Sequence, residues 1–125
     1  VEKAGTGWRV GKIGGLGHSS CGGVKGCFDM CEGHAPELDE KTSFVGRWMD
    51  ILRPGYERLA PGEPKERLRA LEKEAVLVSL ENLMTFPFVK AAVNDGMLSL
   101  HGLWNHIGEG SLECYDPGTK AFVAV

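Results

Sequence analysis

A chain of 125 residues with 42% hydrophobic and 25% charged side chains is composed like one ordinary globular domain with one core. Its formal net charge of −3, with lysine and arginine scattered, argues against the basic footprint of a nucleic-acid binder and against a polybasic membrane patch. No apolar run reaches the ~18 residues of a membrane span and no secretory leader pattern opens the chain, so we expect a cytoplasmic protein whose Cys21, Cys27, Cys31 and Cys114 are reduced thiols.

Residues 1–8 read as the end of a helix running into a glycine-rich turn. Residues 10–16 carry Val10, Ile13 and Leu16 at a weak strand spacing, which Gly11, Gly14 and Gly15 interrupt. Then comes Gly17-His18-Ser19-Ser20-Cys21-Gly22-Gly23, with an imidazole and a thiol three residues apart and glycines on both sides to permit a sharp turn. A strand, such a turn and then a helix make an α/β unit. The motif then lies at the carboxyl end of the strand, where open α/β sheets place their sites. Val24, Cys27, Phe28 and Cys31 follow the helical period, and Gly33 and Pro36 end that helix.

A second helix is expected over about residues 38–52, with Phe44, Val45, Trp48, Ile51 and Leu52 as its apolar stripe and Pro54-Gly55 closing it. Its acidic start, Glu37, Asp39 and Glu40, suits the helix dipole. Pro61-Gly62-Glu63-Pro64 is a break, and Pro64 stands at the first turn of the next helix. That helix, over residues 65–86, has the strongest pattern in the chain, with Leu68, Leu71, Ala75, Val78 and Leu83 recurring among good helix formers. Pro87 interrupts it. A further helical turn through Val89, Ala92 and Val93 stops at Asn94-Asp95-Gly96. Residues 97–107 change to a strand period. Residues 112–115 and 121–125 form a hairpin around Asp116-Pro117-Gly118.

His18 and Cys21 can reach one metal ion from a single turn, and ordinary packing is the competing explanation for the pair. Cys27, Cys31 and His34 lie close in sequence and would add enough nitrogen and sulfur for a closed tetrahedral site. Cys27 and Cys31 fall on the apolar face of their helix, however, which favours core packing, and His34 sits in a solvated Gly/Pro loop. His101 is expected to be a strand histidine satisfied by a backbone partner, and His106 lies near a turn. Cys114 is expected at a subunit contact or core edge. Trp8, Trp48 and Trp104 read as packing anchors.

Taken in order, three separated motifs resemble the carboxyl-terminal two-thirds of a β-class carbonic anhydrase. They are Gly17 to Gly23, then Ser79-Leu80-Glu81-Asn82 with Pro87-Phe88-Val89, then Leu100-His101-Gly102 followed by Gly110-Ser111-Leu112-Glu113. The resemblance covers nearly the whole chain from about Gly17 onward. It implies a single α/β domain over residues 1–125, with a mostly parallel central sheet flanked by helices and a C-terminal hairpin, built as a homodimer or a multiple of dimers. It also implies Zn2+ held by two cysteines and one histidine. His18 and Cys21 match two of these ligands, and Gly22 and Gly23 match the turn whose backbone borders the substrate pocket. Such a zinc lowers the pKa of its water from about 15.7 toward about 7, and the hydroxide attacks CO2 to give bicarbonate and a proton.

The family's Cys-x-Asp-x-Arg motif, which carries the other cysteine ligand and the catalytic Asp–Arg pair, does not occur in these 125 residues, so no catalytic residue is assigned. The alternative is a non-catalytic or truncated zinc-binding relative that keeps the fold. A third possibility is a closed structural site of His18, Cys21, Cys27 and Cys31.

Overall fold

In a computed structural model that describes residues 11–34 and 44–125, a parallel strand pair joins segments far apart in the sequence. β1 (Lys12–His18) runs beside β2 (Ser99–His106), with Lys12 opposite Ser99 and His18 opposite Asn105. β3 (Ser111–Asp116) and β4 (Ala121–Ala124) continue the sheet in the order β1-β2-β3-β4, both pairings antiparallel. The expected hairpin is therefore present. The sheet is mixed, and among the described residues its parallel part is the β1–β2 pair. The expected helix end over residues 1–8, Trp8, the first part of the second helix and its acidic start fall outside the described residues, as do the side chains of Phe44, Val45 and Trp48.

Between the two parallel strands the chain makes α1 (Gly22–Cys31), α2 (Phe44–Met49), a 3-10 turn (Asp50–Leu52), α3 (Arg53–Glu57), α4 (Pro64–Leu83) and α5 (Pro87–Asn94). Pro54-Gly55 does not close the helical path, contrary to the expectation. Pro54 lies in the first turn of α3, where its missing N–H costs no hydrogen bond. Gly55 is buried there, and a Cβ on it would stand 3.2 Å from Glu74 Cβ and 3.4 Å from Val78 Cγ2. The glycine lets α3 lie against α4. Further on, Pro87 ends one helix and starts another. It disfavours helical backbone at Phe86, which is extended (φ −79°, ψ 122°), and α4 and α5 meet at 93°. Gly96 follows with φ +73°, the left-handed residue that the Asn94-Asp95-Gly96 stop calls for.

The glycines of β1 have a use that their reading as strand weakeners missed. Gly15 and Gly17 alternate with exposed positions, and Gly15 pairs with Gly102 of β2. A Cβ on Gly17 would come within 2.6 Å of Val76 Cγ2, and one on Gly102 within 2.9 Å of Val76 Cγ1 and 3.1 Å of Leu80 Cδ1. The three glycines form a flat floor on which Val76 and Leu80 of α4 rest directly. β1 also begins and ends two residues later than expected, so His18 is the last residue of the strand.

On its other side α4 packs against α1 and α3. Val24, Phe28 and Leu71 form the buried centre, ringed by Cys21, Leu52, Tyr56, Leu59, Leu68 and Ala75. Phe28 and Tyr56 meet edge to face at 6.1 Å. The Arg67 guanidinium lies 5.7 Å from the Phe28 ring centre and 5.3 Å from that of Tyr56, and donates to Glu32 at 2.8 Å. Tyr56 donates to the same carboxylate at 2.5 Å, and that bond raises the phenol's pKa. These contacts tie the end of α1 to α3 and α4.

Candidate functional site

β1 delivers its motif to the carboxyl end of the parallel pair, and the turn after it is fixed from two directions. From the sheet side, the Ser19 amide donates to the Asn105 carbonyl at 2.9 Å, and the Ser19 hydroxyl, in a residue 2% exposed, accepts the Ile107 amide at 2.9 Å. From the helix side, Glu72 of α4 accepts the Ser20 amide on Oε2 at 2.9 Å. Ser20 adopts φ +58°, a left-handed conformation uncommon for a residue with a Cβ. Cys21 is the extended N-cap residue of α1, and its carbonyl accepts the Lys25 amide at 3.0 Å.

His18 falls on the exposed side of the β1 alternation. Its Nδ1 lies 2.9 Å from the Ser19 carbonyl. A carbonyl can only accept, so Nδ1 carries the proton and a neutral ring keeps its lone pair on Nε2. An imidazole that binds a metal through Nε2 needs this tautomer, and a backbone carbonyl on the other nitrogen is one of the usual ways to fix it. Cys21 is half-buried and packs on the Val24–Phe28–Leu71 cluster. His18 and Cys21 line one cleft of about 320 Å3, together with Leu16, Val24, Ala75 and Val76, with Glu72 and Ser79 among its polar walls.

The other site expectations fare unequally. Gly22 and Gly23 open α1 and are not among the residues lining the cleft, and a Cβ on Gly22 would meet nothing within 4 Å. Cys27 is fully buried, and burial, reinforced by Cys31, pushes its thiol up to about 12. The structure does not bring His18, Cys21, Cys27 and Cys31 together as a closed site, since among the described residues no three such side chains are placed to hold a metal ion. His34 is exposed, in the solvated position expected of it. Among the described residues His101 is satisfied by the Ser99 hydroxyl at 2.8 Å and not by the backbone. His106 accepts the Glu109 amide at 3.1 Å and stacks edge-on against Trp104, which is 4% exposed and is the expected anchor. Cys114 is half-buried in β3.

Glu72 is the residue that sequence reasoning passed over. It is 2% exposed, and Arg69 Nη1 donates to both its oxygens, at 3.1 and 3.2 Å. A signal was available. Leu68, Glu72 and Val76 stand one helical turn apart, so a carboxylate interrupts an apolar row, and a charge there needs partners.

Metal chemistry fits part of this site. Imidazole nitrogen and thiolate sulfur are the donor types that zinc takes, and a catalytic zinc needs three protein ligands. His18 and Cys21 would be two of them. Among the described residues, no group of three or more His, Cys, Asp or Glu side chains could hold a metal ion.

Fold and site together define an α/β protein with a nitrogen–sulfur donor pair at the carboxyl end of a parallel strand. The sequence model of the carbonic anhydrase family matches residues 1–112, which brings the segment before Gly17 within the match as well. The chain belongs to this family, in its β class. It is 32% identical to β carbonic anhydrase 3 of Arabidopsis thaliana, over 81% of this chain and 40% of that protein. It is also 32% identical to carbonic anhydrase 1 of Escherichia coli O157:H7, over 98% of this chain and 55% of that protein. The solved structure of the β-carbonic anhydrase CcaA superposes with a TM-score of 0.78 at 29% identity, covering 99% of this chain and 60% of that one. The chain thus spans about half the length of the curated relatives it matches.

Proposed function

We propose that this chain carries the Gly-His-x-x-Cys half of a zinc site that hydrates CO2 reversibly to bicarbonate and a proton. The observation that carries the reading is the His18–Cys21 turn at the end of β1, in a chain of the carbonic anhydrase family. His18 Nε2 and Cys21 Sγ are two ligands, and a third comes from outside the described residues. Bound zinc supplies a Lewis acid that makes a water molecule nucleophilic near neutral pH. The chain's own residues do the rest. The Ser19 carbonyl fixes the His18 tautomer. The apolar walls Leu16, Val24, Ala75 and Val76 give a small nonpolar gas an apolar surface beside the donors. Glu72 is committed to Ser20 and Arg69, so it is no free base. In the assembly we infer, a homodimer or a multiple of dimers, a neighbouring copy can border the exposed face of His18.

The experiment is zinc content and CO2 hydration of the full-length protein, with His18→Ala and Cys21→Ser. Both variants should lose most of the zinc and hydrate CO2 at the buffer rate. A zinc-free wild type with no hydration above buffer would leave the non-catalytic relative as the better reading.

A further inference from the structure

We propose that Glu72 is a positioning residue that sets, from α4, the backbone carrying His18 and Cys21. The inference rests on the zinc reading of that turn. Ser20 lies between the two donors, and its φ of +58° holds the chain in a conformation that most residues with a Cβ avoid. Something must hold it there, and the Glu72 carboxylate accepts the Ser20 amide across 52 residues of sequence at 2.9 Å. The carboxylate itself is fixed. It is 2% exposed, and Arg69 Nη1 bridges its two oxygens at 3.1 and 3.2 Å.

Among the described residues the sheet holds the Ser19 end of the turn, through Asn105 and Ile107. α1 holds the Cys21 end, through its carbonyl and its packing on the core, so without Glu72 it is Ser20 between the two ends that loses its tether. The angle between the imidazole and the thiol would then vary. A charged acceptor buried under a tight turn is an expensive way to fill space, and Val76 one turn on shows that an aliphatic side chain fits the same row. A carboxylate at position 72 is accounted for by the bond it makes.

The test uses the full-length protein. Two-dimensional NMR reads exchange at the Ser20 amide, and zinc titration against a competing chelator reads affinity. Glu72→Ala should speed Ser20 exchange about tenfold or more while amides of β2 and of central α4 keep their rates. It should also raise the zinc Kd roughly 10- to 100-fold, the usual effect of removing a group that orients metal ligands. Glu72→Gln keeps an oxygen that accepts the amide, and should sit nearer to wild type on both readouts. Glu72→Met fills the space without accepting a bond. It should behave like the alanine variant, and it decides the matter if the alanine cavity prevents folding.

Unchanged Ser20 exchange in the alanine or methionine variant overturns the proposal. So does faster exchange with unchanged zinc affinity, or a glutamine variant as impaired as alanine. A wild-type protein that binds no zinc sinks the zinc reading instead, and Ser20 exchange then decides on its own whether Glu72 holds the turn.

Discussion

Gly17 and Gly14 stand three residues apart in β1 and should answer substitution in opposite ways. A Cβ on Gly17 meets the stiff, β-branched Val76 at 2.6 Å and the Glu72 carbonyl at 3.4 Å. Gly17→Ala should therefore cost roughly 1–3 kcal/mol in denaturant unfolding, because helix and strand must separate. Gly14 meets only the His101 carbonyl, at 3.7 Å, so Gly14→Ala should be neutral or gain up to about 1 kcal/mol by restricting the unfolded chain. Equal losses at both positions would contradict the glycine floor. Cys27 makes a prediction in pH. Its thiol rises from the ordinary 9.0 to about 12 on folding, so the folded state keeps a proton that the unfolded state gives up. That contribution to stability is complete below pH 9 and is lost as pH rises toward 12. Melts between pH 8 and 11 should fall less steeply for Cys27→Ala than for wild type, and identical slopes would refute the raised thiol.

α4 is the element that joins core to site. Leu71 points into the Val24–Phe28 cluster with no exposure, Val76 rests on the glycine floor, and Glu72 between them reaches the turn. Leu71→Ala should cost about 2–5 kcal/mol in equilibrium unfolding and loosen Ser20 with it, since both depend on how α4 is seated. A loss under about 1 kcal/mol would place the core elsewhere. This helix, the hairpin and the His18–Cys21 motif were legible in the sequence because each is written in local periodicity or turn chemistry. Other features were not. Gly15 looks like a strand breaker until Val76 and Leu80 are seen above it. Pro54 looks like a stop because a short helix restarting at a proline has the same letters as one that ends there. The Glu72–Ser20 bond joins positions 52 apart, beyond what any local pattern records.

At the scale of the whole molecule, the β1–β2 pairing joins Lys12 to Ser99, and the turn beyond it is closed by a bond from Ile107 to Ser19 across 88 residues. Pairings of such separation close slowly, since the long intervening segment must be ordered first. During synthesis His18 and Cys21 are made well before the strand that holds them. In an unfolded chain Cys27 is an ordinary accessible thiol, whereas in the folded one it has no exposed surface. Oxidative damage at Cys27 thus belongs to the nascent or refolding chain, and a reductant protects that residue during folding more than during storage of the folded protein.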